Sequence, residues 1–168
     1  MLAGFPPYRL EALPILFLAA FATVNADTWA TELGRLAGQT PRSLRDGKPV
    51  PPGTSGAITV VGTLASLAGA LIIPLAVYSS WPLNAAQLVC VVWSGFLGSL
   101  IDSLLGASLQ VQYLDPETGL ITECTHIDGR PTRRLRGLSW MNNDLVNFLA
   151  SVGGVLCGYY LLHYAHLA

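Results

Sequence analysis

The sequence predicts an all-α fold, a polytopic membrane helix bundle with four transmembrane helices, and three observations carry that prediction. Of its 168 residues 52% are hydrophobic and only 11% charged, and the mean hydropathy is +0.50, a composition wrong for a soluble domain. The apolar residues gather into stretches of about 20, the length a helix needs to cross a hydrocarbon core of roughly 30 Å. Alternating strand patterns of the outer-membrane barrel kind are absent. Residues 1–168 therefore read as one transmembrane domain.

The first helix is expected over about 12–34. Its apolar run stops being apolar at Val24-Asn-Ala-Asp-Thr-Trp-Ala-Thr-Glu-Leu-Gly-Arg35 without stopping being helical. Thr28, Glu32 and Arg35 fall at i, i+4 and i+7, with Asp27 and Thr31 one step round the helix, so the polar groups share a side. Acids inside a membrane segment are expensive unless they face protein, water or a metal, which makes this stripe a functional-site hypothesis. Arg9, the run 12–24 and Val24-Asn25-Ala26 imitate a secretory leader with its cleavage site, but the helical pattern continues through Leu33.

The second helix is expected over 56–80, after a loop, 35–55, too rich in Pro, Gly and basic residues for a helix to traverse. Pro82 marks a very short turn into the third helix, 84–109. A longer polar loop, 111–142, leads to the fourth helix, 144–166. Within that loop Asp115-Pro-Glu-Thr-Gly119 is a turn signal, and Leu109-Gln-Val-Gln-Tyr113 and Leu120-Ile-Thr122 suit the arms of a small hairpin.

Four crossings put loops 35–55 and 111–142 on one side of the membrane. Eight of the nine basic residues lie there, against Arg9 on the other, so the loops are expected to be cytoplasmic and both termini non-cytoplasmic. The formal charge of −1, without a basic run interleaved with aromatics, gives no support for a nucleic-acid partner. Cys90, Cys124 and Cys157 show neither CxxC nor metal-ligand spacing and read as ordinary small residues. His163 and His166 read as interfacial residues, and His126 as a loop histidine with no recognisable partner.

This topology brings four polar motifs to one membrane surface. Asp27 and Glu32 lie toward the cytoplasmic end of the first helix and Asp102 toward that of the third. Pro51-Pro-Gly-Thr-Ser-Gly-Ala-Ile-Thr59 opens the second helix, with Thr54 or Ser55 as a natural N-cap. Simple capping explains that motif taken alone; with Lys48 upstream, the free amides of a helix start also suit a phosphate. Ser94, Gly98, Asp102 and Gly106 recur at fourth positions, where small residues mean close helix packing, an explanation that does not extend to a carboxylate. Asn143, Asn147 and Ser151 repeat the spacing in the fourth helix. Carboxylates flanked by hydroxyls and amides suit Mg²⁺, which takes one or two protein carboxylates and completes its shell with water and substrate phosphates. No Ser or Cys is paired with a histidine for acyl transfer, whereas phosphoryl transfer needs mainly positioning and charge neutralisation.

Asp27-Thr-Trp-Ala-Thr-Glu-Leu-Gly34, Pro52-Gly-Thr-Ser-Gly-Ala57 with Thr59, Gly98-Ser-Leu-Ile-Asp-Ser-Leu-Leu-Gly-Ala107, and Asn142-Asn143 with Val146-Asn147 occur in this order along nearly the whole chain. Together they resemble the blocks of an integral-membrane family long described as of unknown function. That family includes the plant phytyl-phosphate kinase of tocopherol synthesis and an animal transmembrane protein of unsettled role. The resemblance implies a CTP-dependent kinase that converts a prenyl monophosphate to the diphosphate. By matching block it makes Asp27, Glu32 and Asp102 metal or catalytic residues, has Lys48, Gly53, Thr54 and Ser55 meet phosphates, and completes the site with Asn143 and Asn147. It also implies further hydrophobic helices upstream of the Asp-Thr-Trp block, where this chain begins, and a chain lacking helices that complete the pocket would be inactive alone.

The expected function is thus a Mg²⁺-dependent prenyl-phosphate kinase, or a related lipid-phosphate phosphotransferase, at the cytoplasmic membrane face. Its partners are the lipid membrane, a prenyl phosphate and a nucleotide. Two rivals remain. An ion-coupled transporter would need a polar path across the bilayer, and 13–22 and 70–77 are nearly free of polar side chains, although a homo-oligomer could supply one. A noncatalytic assembly subunit would leave the acids unexplained.

Overall fold

The computed structural model describes residues 8–165, with side chains from 12 to 164, so the Arg9 side chain and His166 lie outside the described residues. Four helices carry the fold: α1 (Tyr8–Leu36), α2 (Val60–Val77), α3 (Ala85–Ser108) and α4 (Asn143–Ala165). Each is long and apolar enough to cross a membrane, over Ala12–Leu36, Val60–Val77, Ala85–Ser108 and Asn143–Tyr164. Their outward faces carry large apolar side chains such as Phe17, Phe21, Leu64 and Phe148, as lipid-facing helices require.

Helix α1 runs through the middle and packs against the other three. The contacts are made by small residues, because between helices in lipid it is close backbone approach that contributes packing energy. Gly62 and Gly69 of α2 lie against Ala30, Gly34, Asn25 and Trp29, and the Asn25 amide donates to the Gly69 carbonyl at 2.7 Å. Gly95 and Gly98 of α3 meet Ala22 and Thr23, and Gly154 of α4 meets Thr23 from the other side. Thr23 is buried and donates to its own helix at Ala19, so its hydroxyl is satisfied in an apolar setting. At the end of the bundle formed by the α2–α3 turn, Ile15, Leu18, Ala22, Leu83, Cys90 and Val91 close an apolar cluster.

Both boundaries of α2 depart from the sequence expectation. Helix α2 starts at Val60 instead of residue 56, capped by Thr59, whose side chain accepts from the Gly62 N–H; Thr54 and Ser55 do not cap it. The reason is that Ala57–Ile58 forms a strand, β2, paired antiparallel with β1 (Arg42–Ser43), and this holds the chain extended up to the cap. Helix α2 also ends at Val77, before residue 80, and a capping box of Asn84 and Gln87 opens α3.

The loop between α3 and α4 is more ordered than a single hairpin. The expected arms pair as β3 (Gln112–Leu114) and β4 (Ile121–Thr122), with Asp115 accepting from the Glu117 N–H at 3.0 Å and the Thr118 hydroxyl at 2.6 Å in the turn between them. Two more features were not anticipated. A second hairpin, β5 (His126–Ile127) with β6 (Arg130–Pro131), turns at Asp128-Gly129, where both residues have positive φ. Strand β7 (Arg133–Arg136) then adds to the free edge of β3, giving a three-stranded sheet in the order β4-β3-β7.

Candidate functional site

A cavity of about 410 Å³ opens where the loops meet the helices, a volume suited to a small-molecule group. All four helices reach it at the same end of the bundle. Asp27, Thr31 and Gly34 come from α1, Thr59, Thr63 and Ser66 from α2, Ser99, Asp102 and Ser103 from α3, and Asn143 from α4. The loop segment 52–58 forms a further wall, including Gly53, Thr54 and Ser55, and Glu123 contributes from the end of β4. The acids therefore stand among hydroxyls, an amide and backbone, at one end of a bundle that closes an apolar cluster toward its other end.

Helical geometry sorts the polar stripe of α1. Asp27, Thr31, Gly34 and Arg35 line the cavity. Glu32 lies five residues beyond Asp27, about 140° round an α-helix, and is exposed away from the cavity lining. Thr28 likewise points its hydroxyl to the Val24 carbonyl at 2.9 Å. The expected triad of Asp27, Glu32 and Asp102 is thus not brought together; the acids that share the cavity are Asp27, Asp102 and Glu123. Among the described residues, no three His, Cys, Asp or Glu side chains converge in a group that could hold a metal ion unaided.

The remaining candidates divide similarly. Gly53, Thr54, Ser55 and Asn143 line the cavity, whereas Lys48 and Asn147 do not. Lys48 sits in the turn of the first loop, its Nζ 3.6 Å from Asp46 Oδ2, and both groups are largely exposed. Its backbone N–H, 3.3 Å from Asp46 Oδ1, is the main cause holding the Asp46 carboxyl below the ordinary aspartate value. Asn147 lies one turn beyond Asn143 on an exposed face of α4. The start of α2 offers fewer free amides than its sequence promised, because the Val61 N–H donates to Gln39 Oε1 at 3.2 Å and the Gly62 N–H to Thr59. The rest of this wall is the turn 53–56, where Gly53 and Gly56 both have positive φ.

That turn is clamped from behind by residues that sequence reasoning did not single out. Arg136, on β7, donates to the Ser55 carbonyl at 2.8 Å and to the Gly106 carbonyl at 3.1 Å, and also to the Ala107 carbonyl, while its Nε donates to Gln112 at 3.0 Å. It therefore neutralises the C-terminal carbonyls of α3 and ties them to the loop that walls the cavity. Burial, and secondarily the charge of Arg45, pulls the Arg136 guanidinium below its ordinary value, though an arginine remains charged at any physiological pH. Gln110 is the second tie. It is buried, accepts from the Ser55 hydroxyl, and donates to Glu123 at 2.7 Å and Asn143 at 3.4 Å, so three cavity residues hang on one amide. A glutamine directly after a membrane helix was the available signal for this role, and nothing in the local pattern marked Arg136 among its neighbouring arginines.

Residues 3–155 match a family described as Integral membrane protein DUF92. Among curated relatives, Protein PGR of Arabidopsis thaliana is 33% identical over 144 residues, covering 77% of this chain and 48% of the relative. An uncharacterised membrane protein of Methanocaldococcus jannaschii is 37% identical over 142 residues, covering 84% of this chain and 48% of the relative. Protein VTE6, chloroplastic, of Arabidopsis thaliana is 28% identical over 141 residues, covering 83% of this chain and 35% of the relative. The chain thus spans about half the length, or less, of these relatives. No solved structure matches it. A match over nearly the whole chain, onto four apolar helices with their polar ends gathered at one cavity, makes this protein a member of the DUF92 family of integral membrane proteins.

Proposed function

We propose that this membrane protein acts as a prenyl-phosphate kinase or a close relative, transferring a phosphoryl group from a nucleotide, CTP by family resemblance, to a lipid monophosphate. The observation that carries the reading is the common cavity of Asp27, Asp102, Glu123, the turn 53–55 and Asn143 at the loop end of the bundle. The loops holding eight of the nine basic residues are assigned to the cytoplasm, which puts the cavity within reach of a soluble nucleotide.

In this reading an oxygen of the lipid phosphate attacks the terminal phosphorus of the nucleotide in line; that P–O bond forms as the bond to the nucleoside diphosphate breaks. A phosphate nucleophile carries its own charge, so no side chain has to remove a proton. The turn 53–56 and the hydroxyls of Ser99 and Ser103 orient phosphate oxygens, and Arg35 adds positive charge at the rim. The donor set, carboxylate oxygens with hydroxyls and an amide, fits Mg²⁺, which Asp27 and Asp102 would hold with Glu123 close by. Such an ion supplies charge neutralisation on the phosphates. The sequence-derived set is accordingly revised, with Glu123 replacing Glu32 and Lys48 and Asn147 left outside it.

An assay of the purified full chain with CTP or ATP, a panel of prenyl phosphates and Mg²⁺ tests this. Asp27→Asn and Asp102→Asn are each expected to lower diphosphate formation by about 10²-fold or more. Turnover indifferent to both substitutions would sink the assignment. Nucleotide-independent ion flux in liposomes would favour a transporter instead, a reading opposed by the apolar cluster of Ile15, Leu18, Leu83 and Val91 beyond the cavity.

A further inference from the structure

A second hollow, of about 480 Å³, lies beside the first and shares one residue with it, Glu123. It is built from the loop between α3 and α4, by Tyr113 on β3, Thr125 and His126 at the start of the second hairpin, and Ser139 and Asn142 ahead of α4. None of these residues belongs to the four candidate membrane spans. Val111 and Cys124 complete the lining, and its place outside the spans suits a soluble group of modest size with both polar and apolar faces.

Its lining combines one aromatic ring with hydroxyls, an amide, an imidazole and a carboxylate. Tyr113 stands on the central strand of the three-stranded sheet, opposite Thr122 on one side and Arg134 on the other, and lines the hollow with an aromatic ring, the kind of surface on which bases stack. Asn142 uses its Oδ1 to cap α4, accepting from the Leu145 N–H at 3.0 Å, and so keeps its NH₂ as a donor for a ligand. The hydroxyls of Thr125 and Ser139 and the ring of His126, whose Nδ1 is 3.2 Å from the Thr125 hydroxyl, add partners of both kinds. Glu123 accepts from Gln110 through one carboxylate oxygen, leaving the other at the junction of the two hollows.

We infer that this loop hollow binds the nucleoside end of the phosphate donor, stacked on Tyr113, while its phosphates extend past Glu123 into the cavity of Asp27 and Asp102. The inference rests on the phosphotransferase reading and adds to it a location for base and ribose on the loop sheet. It assigns the helices to the lipid phosphate and the loop to the nucleotide.

The test uses full chain in nanodiscs, with CTP and ATP as ligands and their azido derivatives as photoprobes. Cross-links are expected within 111–126 or 139–142. Tyr113→Ala is expected to raise the nucleotide Kd and KM about tenfold, with the KM for prenyl phosphate unchanged, and Tyr113→Phe to retain wild-type values. Should Tyr113→Ala misfold, Thr125→Val and Ser139→Ala give the same split. Cross-links confined to 35–59, or an unchanged nucleotide Kd in these variants, overturn the nucleoside site while leaving the kinase reading intact. A wild-type chain that binds neither nucleotide overturns both.

Discussion

At the scale of single residues, the bundle depends on side chains that are missing. A Cβ on Gly95 would lie 2.7 Å from Ala22 Cβ and 2.8 Å from the Ala22 carbonyl carbon, so even alanine has to push α1 and α3 apart. Gly95→Ala should cost about 1–3 kcal/mol, read from reversible unfolding in mixed micelles, and a variant as stable as wild type would mean the helices pack less closely than described. Asp115 gives a pH signature outside the membrane. The Thr118 hydroxyl, then the Glu117 N–H, holds its carboxyl below the ordinary 3.8, so ionised Asp115 favours the folded loop. That contribution is present above the unfolded value and lost as pH falls through the lower folded one. Asp115→Asn should therefore flatten the acid limb of the loop's stability, measured as amide exchange at residues 112–122 against pH.

Between elements, the decisive joint is the one Arg136 makes between β7, the end of α3 and the turn at Ser55. Arg136→Met keeps much of the stem but leaves three carbonyls without their donor, and should cost about 1–3 kcal/mol. It should also loosen the cavity wall, so limited proteolysis in 51–57 is expected to speed up before the helices unfold; unaltered cleavage there would show that the turn holds itself. Gly56 is the matching position on the loop. It combines φ +72° with a Cβ direction that runs into the backbone of Ala107 and Ser103, so Gly56→Ala should disrupt the same wall with α1 and α2 still packed.

For the whole molecule, orientation is the property with the sharpest test. Cys124 is exposed in the loop between α3 and α4, Cys90 is buried and Cys157 lies within α4. A membrane-impermeant maleimide should label Cys124 from the cytoplasmic side alone, and labelling only from the opposite side would reverse the proposed sidedness and remove the cavity from cytosolic nucleotide.

The four crossings, the membrane setting and the family were legible in the sequence because length, hydropathy and block order depend on local composition alone. So was the gathering of polar helix ends at one surface, since alternating crossings fix which ends are neighbours. The Asp128-Gly129 hairpin has a local signal too, a two-residue turn sequence. Only the tertiary structure decided that Asp27 faces the cavity and Glu32 does not, that Glu123 comes in from the bend after β4, 21 residues after Asp102, and that Arg136 and Gln110 fasten the wall. Those outcomes depend on the rotation of α1 about its axis and on pairings between distant segments, and neither is encoded in the spacing of residues along any one stretch.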